Sequence, residues 1–252
     1  MKQKTIYDRL LKIGENKGAG FLCLIDPDKQ KPEQALEIGY KCKSAGVDAI
    51  LVGGSMMVEH HFNSTIKAIK NKIELPVIVF PGIFNFVSPF ADAILFLSMM
   101  SSRNPQLLIG EQVRAAPLIK NYGVEAIPTG YFLIESGTLS SVQYMSHSFP
   151  IPRDKIDIAL SHTLAAQYLG MKLIFFDAGS GAKQSVPEQM IAHVKESINI
   201  PLIVGGGIKT PEDARKKVDA GADFVVVGNV FENNRTENII AEFSEAIHKT
   251  DK

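Results

Sequence analysis

Residues 201–230 read PLIVGGGIKTPEDARKKVDAGADFVVVGNV, and this stretch predicts a strand, a glycine loop, a helix, a second strand and a second loop. The opening apolar run ends at three glycines, which is typical of a buried parallel strand. Pro211 and the acidic residues after it start the helix, and Gly221 ends it. Residues 223–227 form the second buried strand. The stretch is therefore one β-α-β unit of a parallel sheet.

Both loops of this unit are rich in glycine, so their peptide N–H groups are not screened by side chains. Gly205, Gly206 and Gly207 follow the first strand, and Gly228 and Asn229 follow the second. N–H groups arranged in this way can surround a phosphate. A tight exit from a strand explains one glycine turn equally well, but two such loops at neighbouring strand ends favour a phosphate site. Loops after strands seven and eight are the frequent phosphate site of eight-stranded barrels.

The rest of the chain continues the alternation of strands and helices. Further strands are predicted at 20–25, 48–52, 76–80, 93–97, 124–133 and 173–176. Helices are predicted at 32–45, within 56–71, and at 104–121, 155–169 and 187–197. Eight strands in this pattern predict an α/β fold, a (β/α)8 TIM barrel, as a single domain over residues 1–252.

Three features depart from a regular barrel. A helix at 5–16 is predicted to cover one end, and the connection between strands three and four lacks the pattern of a regular helix. The segment 135–154 is predicted as a long loop rich in Ser, Gly and Pro. Because a loop of this length is uncommon in a compact domain, we expect it to have a function.

The composition limits the classes of partner. The 27 basic and 27 acidic residues balance, so nothing in the net charge favours nucleic acid. Cys23 and Cys42 lie in no metal-binding spacing and indicate reduced packing residues. The first residues lack the apolar core of a secretory signal, so a cytoplasmic location is predicted. Prolines, glycine and polar residues interrupt the apolar segment 77–100, which therefore does not read as a membrane span.

Polar residues follow the first two strands at the edge where barrel enzymes carry their active sites. Asp26 comes directly after strand one, and Ser55 follows two glycines after strand two. A carboxylate and a hydroxyl that leave coordination positions open are typical of Mg²⁺, which keeps waters and takes substrate phosphate oxygens. Simple turns at both places explain the residues equally well at this point.

Strand six ends in residues 175–182, FFDAGSGA, where Asp177 lies between aromatic residues and a glycine turn. Its carboxylate could act as a general base or accept a hydrogen bond from a polyol hydroxyl. No HxxxH or HxH pair, nucleophile elbow, Walker motif or dinucleotide fingerprint occurs in the sequence. Zinc, serine hydrolase and nucleotide chemistry are therefore disfavoured.

Taken together, DPDK (26–29), GGS (53–55), the AGSGA turn (178–182), GGGI (205–208) and GN (228–229) resemble the geranylgeranylglyceryl phosphate synthase family. The long segment GYFLIESGTLSSVQYMSHSFPIPRDK (130–155) is also similar. The resemblance implies a Mg²⁺-dependent prenyltransferase on a TIM barrel. The enzyme would join sn-glycerol 1-phosphate to a long prenyl diphosphate, geranylgeranyl by the family likeness, as an ether. It also implies a homo-oligomer and transient proximity to membranes through the lipid product.

The same resemblance assigns residues to roles. Asp26 and Ser55 would hold Mg²⁺ against the diphosphate, and Asp177 would lie near the attacking hydroxyl. Phe175 and Phe176 could present aromatic faces to an allylic cation if they point inward. The family usually has Tyr-x-Glu where this chain has Phe175 and Asp177, so a phenol is missing at this turn. The residues assigned to glycerol phosphate are Phe175, Phe176, Asp177, Ala178, Gly179, Ser180, Gly181, Gly205, Gly206, Gly228 and Asn229.

Three alternatives share the phosphate loops. A sugar-phosphate isomerase or epimerase would use them with a paired acid and base, and it does not call for an apolar groove. A flavin-binding barrel would bind the flavin phosphate with the same loops, and the purified protein would absorb visible light. An inactive barrel that only binds a lipid phosphate would keep its binding after Asp26 is replaced by Asn.

Overall fold

The computed structural model describes residues 5–54, 61–82, 86–231 and 238–248. Eight parallel strands form a closed barrel in chain order, in which the last strand pairs with the first. The strands are β1 (Gly20–Ile25), β2 (Ala49–Val52), β3 (Val77–Val79), β4 (Ala93–Met99), β5 (Glu125–Leu133), β6 (Leu173–Asp177), β7 (Leu202–Gly205) and β8 (Phe224–Val227). The predicted TIM barrel is confirmed.

Helices surround the barrel, as the β/α alternation predicts. They are α1 (Ile6–Lys17), α2 (Pro32–Ser44), α3 (Phe62–Lys70), α4 (Glu111–Tyr122), α5 (Ser141–Ser146), α6 (Ile156–Tyr168), α7 (Glu188–Lys195), α8 (Pro211–Asp219) and α9 (Ile239–Ile247). Helix α8 begins where the sequence indicates, because the Thr210 hydroxyl accepts a hydrogen bond from Asp213 N at 3.1 Å. Within the described ranges, no helix is long and apolar enough to cross a membrane.

The core has two layers, because successive side chains of a strand point to opposite faces. On β6, Leu173 and Phe175 point into the barrel, whereas Ile174 and Phe176 pack between the barrel and the helices. Helix α1 covers the amino-terminal end, where buried Leu10 packs against the interior layer. The expectation that the first helix caps the barrel is therefore confirmed.

Four details differ from the sequence prediction or refine it. Helix α9 was not predicted, although the apolar residues of IIAEFSEAI recur at helical spacing and bury Ile240, Phe243 and Ile247. The loop 135–154 contains the short helix α5. The helix predicted over 104–121 begins with a π turn, Gln106–Gly110, before α4. The described part of the β3–β4 connection contains no helix, as predicted.

Candidate functional site

A cavity of about 540 Å³ opens at the carboxyl ends of the strands. Loops after β1, β2, β3, β6, β7 and β8 contribute to its wall, together with side chains from β4, β5, the π turn and α5. This is the end of the barrel where the eight strand-to-helix loops meet, and its size is typical of a small-molecule site. The cavity has a glycine-lined side and an apolar side.

The glycine-lined side is built from the loops after β6, β7 and β8. Gly206 has a φ of +78°, and a Cβ added there would lie 2.5 Å from Asp177 Oδ1 and 2.6 Å from Gly179 N. Only glycine fits both that backbone conformation and that closeness. Ser180 Oγ lies 3.2 Å from both Oδ1 and Nδ2 of Asn229, so the first and last of these loops are joined.

One cation also lines the glycine-lined side. Lys209 follows the GGGI run, and its Nζ donates to the carbonyl of Lys183 at 3.3 Å. From the sequence, we predicted a phosphate site formed by backbone N–H groups alone. The structure adds a side-chain ammonium beside them, which favours an anionic ligand further.

Asp177 lies where β6 enters the cavity, and two protein donors hold its carboxylate. Gly179 N donates to Oδ1 at 2.7 Å, and the phenol of Tyr131 donates to Oδ2 at 2.7 Å. Burial raises the pKa of Asp177, although both hydrogen bonds oppose this shift. Burial also raises the pKa of Tyr131 well above its usual range, and the neighbouring Asp177 charge adds to this, so the phenol stays a donor. The site thus contains a buried acid oriented by a phenol.

Three aromatic rings lie beside this acid. Phe80 stacks on Phe175 with ring centroids 5.2 Å apart, and Tyr131 meets Phe175 edge-on at 5.7 Å. Phe176 does not belong to this group, because the alternation along β6 turns its ring outward against Phe132 at 5.5 Å. Phe176 therefore does not meet the condition of pointing inward, and it does not line the cavity. Phe80 and Tyr131 were not identified from the sequence.

Asp26 lies across the cavity mouth at the end of β1. A Cβ added at Gly54 would lie 2.8 Å from its Oδ1, so the loop after β2 packs directly on this carboxylate. Burial raises the pKa of Asp26, opposed by the Asp28 N–H and by Lys29, whose Nζ is 3.7 Å from Oδ2. Ser55, the second predicted metal ligand, lies outside the described residues.

The donor set near Asp26 fits Mg²⁺ only if the substrate supplies oxygens. In the part of the chain that the structure describes, no three His, Cys, Asp or Glu side chains are grouped to hold a metal. Mg²⁺ usually binds through one or two carboxylates together with waters and substrate phosphates. The half-buried Asp26 carboxylate lies against a glycine loop and lines the cavity, so it meets that requirement.

The apolar side of the cavity is formed by side chains rather than by backbone. Leu97 and Met99 of β4, Leu107 of the π turn and Val142 of α5 line it. Val142 lies in the segment 135–154, so the long loop does contribute to the site. Glu111 and Gln112, the first residues of α4, also reach the wall on this side.

Most predicted site residues surround this one cavity. Phe176 and Ala178 are exceptions, since their side chains pack between the barrel and the helices. Ala178 still places its backbone in the site, because its N–H donates to Gly205 O at 3.1 Å. Alternation along β5 could have identified Tyr131 from the sequence, because Tyr131 shares the inward face with Leu133. The predicted residues that line the cavity are Asp26, Phe175, Asp177, Gly179, Ser180, Gly181, Gly205, Gly206, Gly228 and Asn229.

Known proteins resemble this chain over nearly its whole length. The geranylgeranylglyceryl phosphate synthase of Chitinophaga pinensis is 45% identical over 228 residues, which cover 90% of each chain. The protein of the same name from Methanosphaera stadtmanae is 47% identical over 226 residues, covering 89% of this chain and 92% of that protein. These likenesses confirm the resemblance drawn from the sequence motifs.

A solved structure agrees with the fold and the family. The crystal structure of (S)-3-O-geranylgeranylglyceryl phosphate synthase from Thermoplasma acidophilum, in complex with its substrate sn-glycerol-1-phosphate, is 37% identical to this chain. The two superpose with a TM-score of 0.93 over 98% of this chain and 100% of that one. A family model, described as the PcrB family, matches residues 11–247. The chain therefore belongs to the PcrB family.

Proposed function

We propose that the protein is a prenyltransferase that joins sn-glycerol 1-phosphate to a long prenyl diphosphate as an ether and releases diphosphate. One observation carries this proposal: a single cavity has a glycine-lined side with a buried acid and an opposite side of apolar side chains. A ligand pair with an anionic headgroup and a hydrocarbon tail matches both sides. The relatives named above act in this class of chemistry, and geranylgeranyl is the chain that their names support.

The glycerol phosphate lies, in this proposal, on the side formed by the loops after β6, β7 and β8. Gly205, Gly206, Gly228 and Asn229 present backbone and amide donors to the phosphate, and Lys209 adds a positive charge. Backbone donors need no reorganisation when the anion arrives, because the barrel holds them in place. The glycerol hydroxyls then point toward Asp177.

Asp177 accepts the proton of the attacking glycerol hydroxyl. Its raised pKa makes it a better base than an exposed aspartate, and its two hydrogen bonds fix its orientation. The hydroxyl oxygen bonds to C1 of the prenyl chain as the bond between C1 and the diphosphate oxygen breaks. The proton passes to Asp177, and the electron pair of the broken bond leaves with the diphosphate.

The aromatic group of Phe80, Tyr131 and Phe175 stabilises the positive charge that develops on the allylic carbons. Aromatic faces attract cations, and a buried wall strengthens the attraction because water is excluded. Tyr131 also supplies a phenol to the acid, although the phenol that the family usually has at position 175 is absent here.

We further propose that Asp26 and Ser55 hold Mg²⁺ beside the diphosphate. The ion, when bound, would neutralise the charge of the leaving group. Asp26 is suited to this role because its half-buried carboxylate lies at the mouth and packs on Gly54. Lys29 has to share or leave this carboxylate when the ion binds, since its Nζ lies 3.7 Å from Oδ2.

The direct test is a product assay with purified protein, radiolabelled sn-glycerol 1-phosphate, Mg²⁺ and prenyl diphosphates from C15 to C35. We expect a butanol-extractable ether lipid, and turnover that falls steeply in Asp26→Asn while binding of glycerol phosphate persists. Absence of product at every chain length would exclude the transferase. A colourless protein that yields the ether also excludes the flavin alternative.

Oligomerisation and membrane proximity are further proposals. Exposed apolar side chains on α4, including Val113, and on the end of α6, including Tyr168, support a homo-oligomer. Leu139, Tyr144 and Phe149 are exposed on the segment that reaches the cavity, which supports contact with lipid near the mouth. Light scattering and vesicle co-sedimentation test the two proposals separately. The cytoplasmic location stays a prediction.

A further inference from the structure

Polar residues at the start of α4 line the cavity together with the apolar side chains. In a closed barrel of eight strands in chain order, β4 lies opposite β8, so the start of α4 is across the mouth from the last phosphate loop. Leu97, Met99 and Leu107 line the cavity on the β4 side, and Glu111 and Gln112 line it as well. A tail that starts at the headgroup loops and follows the apolar side chains therefore runs toward Glu111.

The π turn places these residues at the cavity wall. A π turn spaces its hydrogen bonds five residues apart, and the bonds here bring the start of α4 beside Leu107. The side chain of Gln112 then fixes the helix to the barrel, because Nε2 donates to Leu107 O at 3.1 Å and also to Leu97 O. Both acceptors belong to residues that line the cavity.

Glu111 is a buried carboxylate held at this wall. The residue is 9% exposed, and its Oε1 accepts hydrogen bonds from Gln106 Nε2 at 2.5 Å and from Arg114 Nη1 at 3.4 Å. Arg114 is largely exposed, whereas Glu111 itself is one of the residues that line the cavity. A hydrocarbon that advanced onto Glu111 would remove its remaining water and offer no hydrogen bond in return, which is unfavourable.

We propose that the Glu111 carboxylate is the stop that sets the longest prenyl chain the protein accepts. This inference rests on the proposed function and names the residue that determines its chain-length specificity. The carboxylate limits chain length through its charge. The last isoprene unit of an accepted chain packs on Leu107 and its apolar neighbours, and one more unit would have to cover the carboxylate, which is unfavourable.

The test compares kcat/KM for prenyl diphosphates from C15 to C35 in the wild type and three variants at this position. Glu111→Leu removes the charge but keeps the bulk, Glu111→Ala removes both, and Glu111→Gln keeps the shape and the acceptor for Gln106. We expect the optimum of Leu and Ala variants to move up by at least one isoprene unit, with about a tenfold gain for the first chain beyond the wild-type limit. We expect Glu111→Gln to shift the chain-length optimum less, because the amide is still polar.

Lys120→Ala is the matched control, because Lys120 lies on the same helix, is exposed and does not line the cavity. It should leave the chain-length profile unchanged, and the KM for glycerol phosphate should stay constant in every variant. Equal profiles in wild type, Glu111→Leu and Glu111→Ala would overturn the proposal, as would a shift confined to Ala, which would mean a stop made by bulk. A wild type without product at any length would instead overturn the transferase itself.

Discussion

The two sides of the cavity are made of different parts of the chain. The glycine-lined side, where the headgroup is proposed to bind, is formed mainly by backbone, because glycines such as Gly206 leave peptide groups accessible. The apolar side is formed by side chains: Leu97 and Tyr131 come from two strands, Phe80 from the loop after β3 and Leu107 from the π turn. A Cβ added at Gly206 would collide with the acid and with backbone atoms, whereas a wall of side chains can be reshaped gradually. We therefore expect substitutions on the glycine-lined side to reduce activity abruptly, and substitutions on the apolar side to change it in small steps.

The largest effect is expected where the two sides meet, in Asp177→Asn. The amide keeps the size of the carboxylate but cannot take a proton, so kcat should fall by about 10³-fold while prenyl diphosphate binding changes little. Asp48→Asn is the matched control, since Asp48 is also a buried aspartate but binds Lys17 and His248 at the opposite end of the barrel. It should lower the melting temperature and leave kcat unchanged. Equal losses of turnover and binding in Asp177→Asn would argue against the base.

On the headgroup side, Gly206→Ala should lower kcat/KM by about 10²-fold. Its Cβ would collide with the Asp177 carboxylate and the Gly179 N–H, and a displacement of about 1 Å in an active site costs this much. Gly123→Ala separates collision from backbone strain, because Gly123 has a similar φ of +69° but no atom within 4 Å of an added Cβ. If both variants lose activity equally, the tight backbone contact is not what matters.

On the tail side, Phe80→Leu should lower kcat about tenfold and leave the KM for glycerol phosphate unchanged. The leucine keeps the apolar surface but removes an aromatic face from the developing cation. Phe132→Leu tests whether general loss of packing is responsible, since Phe132 is buried between the barrel and the helices. We expect both substitutions to lower the melting temperature and only Phe80→Leu to lower kcat.

The smallest expected change is a shift of the pH profile in Tyr131→Phe. The phenol donates to the Asp177 carboxylate and so lowers the pKa of that group, and its removal raises this pKa. Because only the deprotonated acid accepts the substrate proton, activity is lost as pH falls through this pKa, and the acid limb should move to higher pH. Tyr7→Phe, at the closed end of the barrel, should not move it. An unmoved limb in Tyr131→Phe would show that another group titrates there.

Much of the headgroup side was predictable from short sequence patterns. The glycine runs at 205–207 and 228–229, the turn at 178–182 and the acid at 177 are local, and parallel strands bring their ends to one edge. The same reasoning did not identify Phe80, Tyr131 and Lys209, because it considered the glycines and acids of the motifs and not the side chains next to them. It also placed Phe176 in the cavity, because residues were taken from a motif without applying the alternation of the strand.

By itself, the sequence determined the barrel, the order of its elements and the glycine loops, because these follow from hydrophobic periodicity and from backbone conformations that only certain residues adopt. The tertiary structure alone decided which side chains form the apolar wall and that Tyr131 rather than residue 175 supplies a phenol to the acid. It also decided that Glu111, which follows the π turn, lines the cavity. These contacts join residues distant in the chain, and packing rather than local pattern selects them.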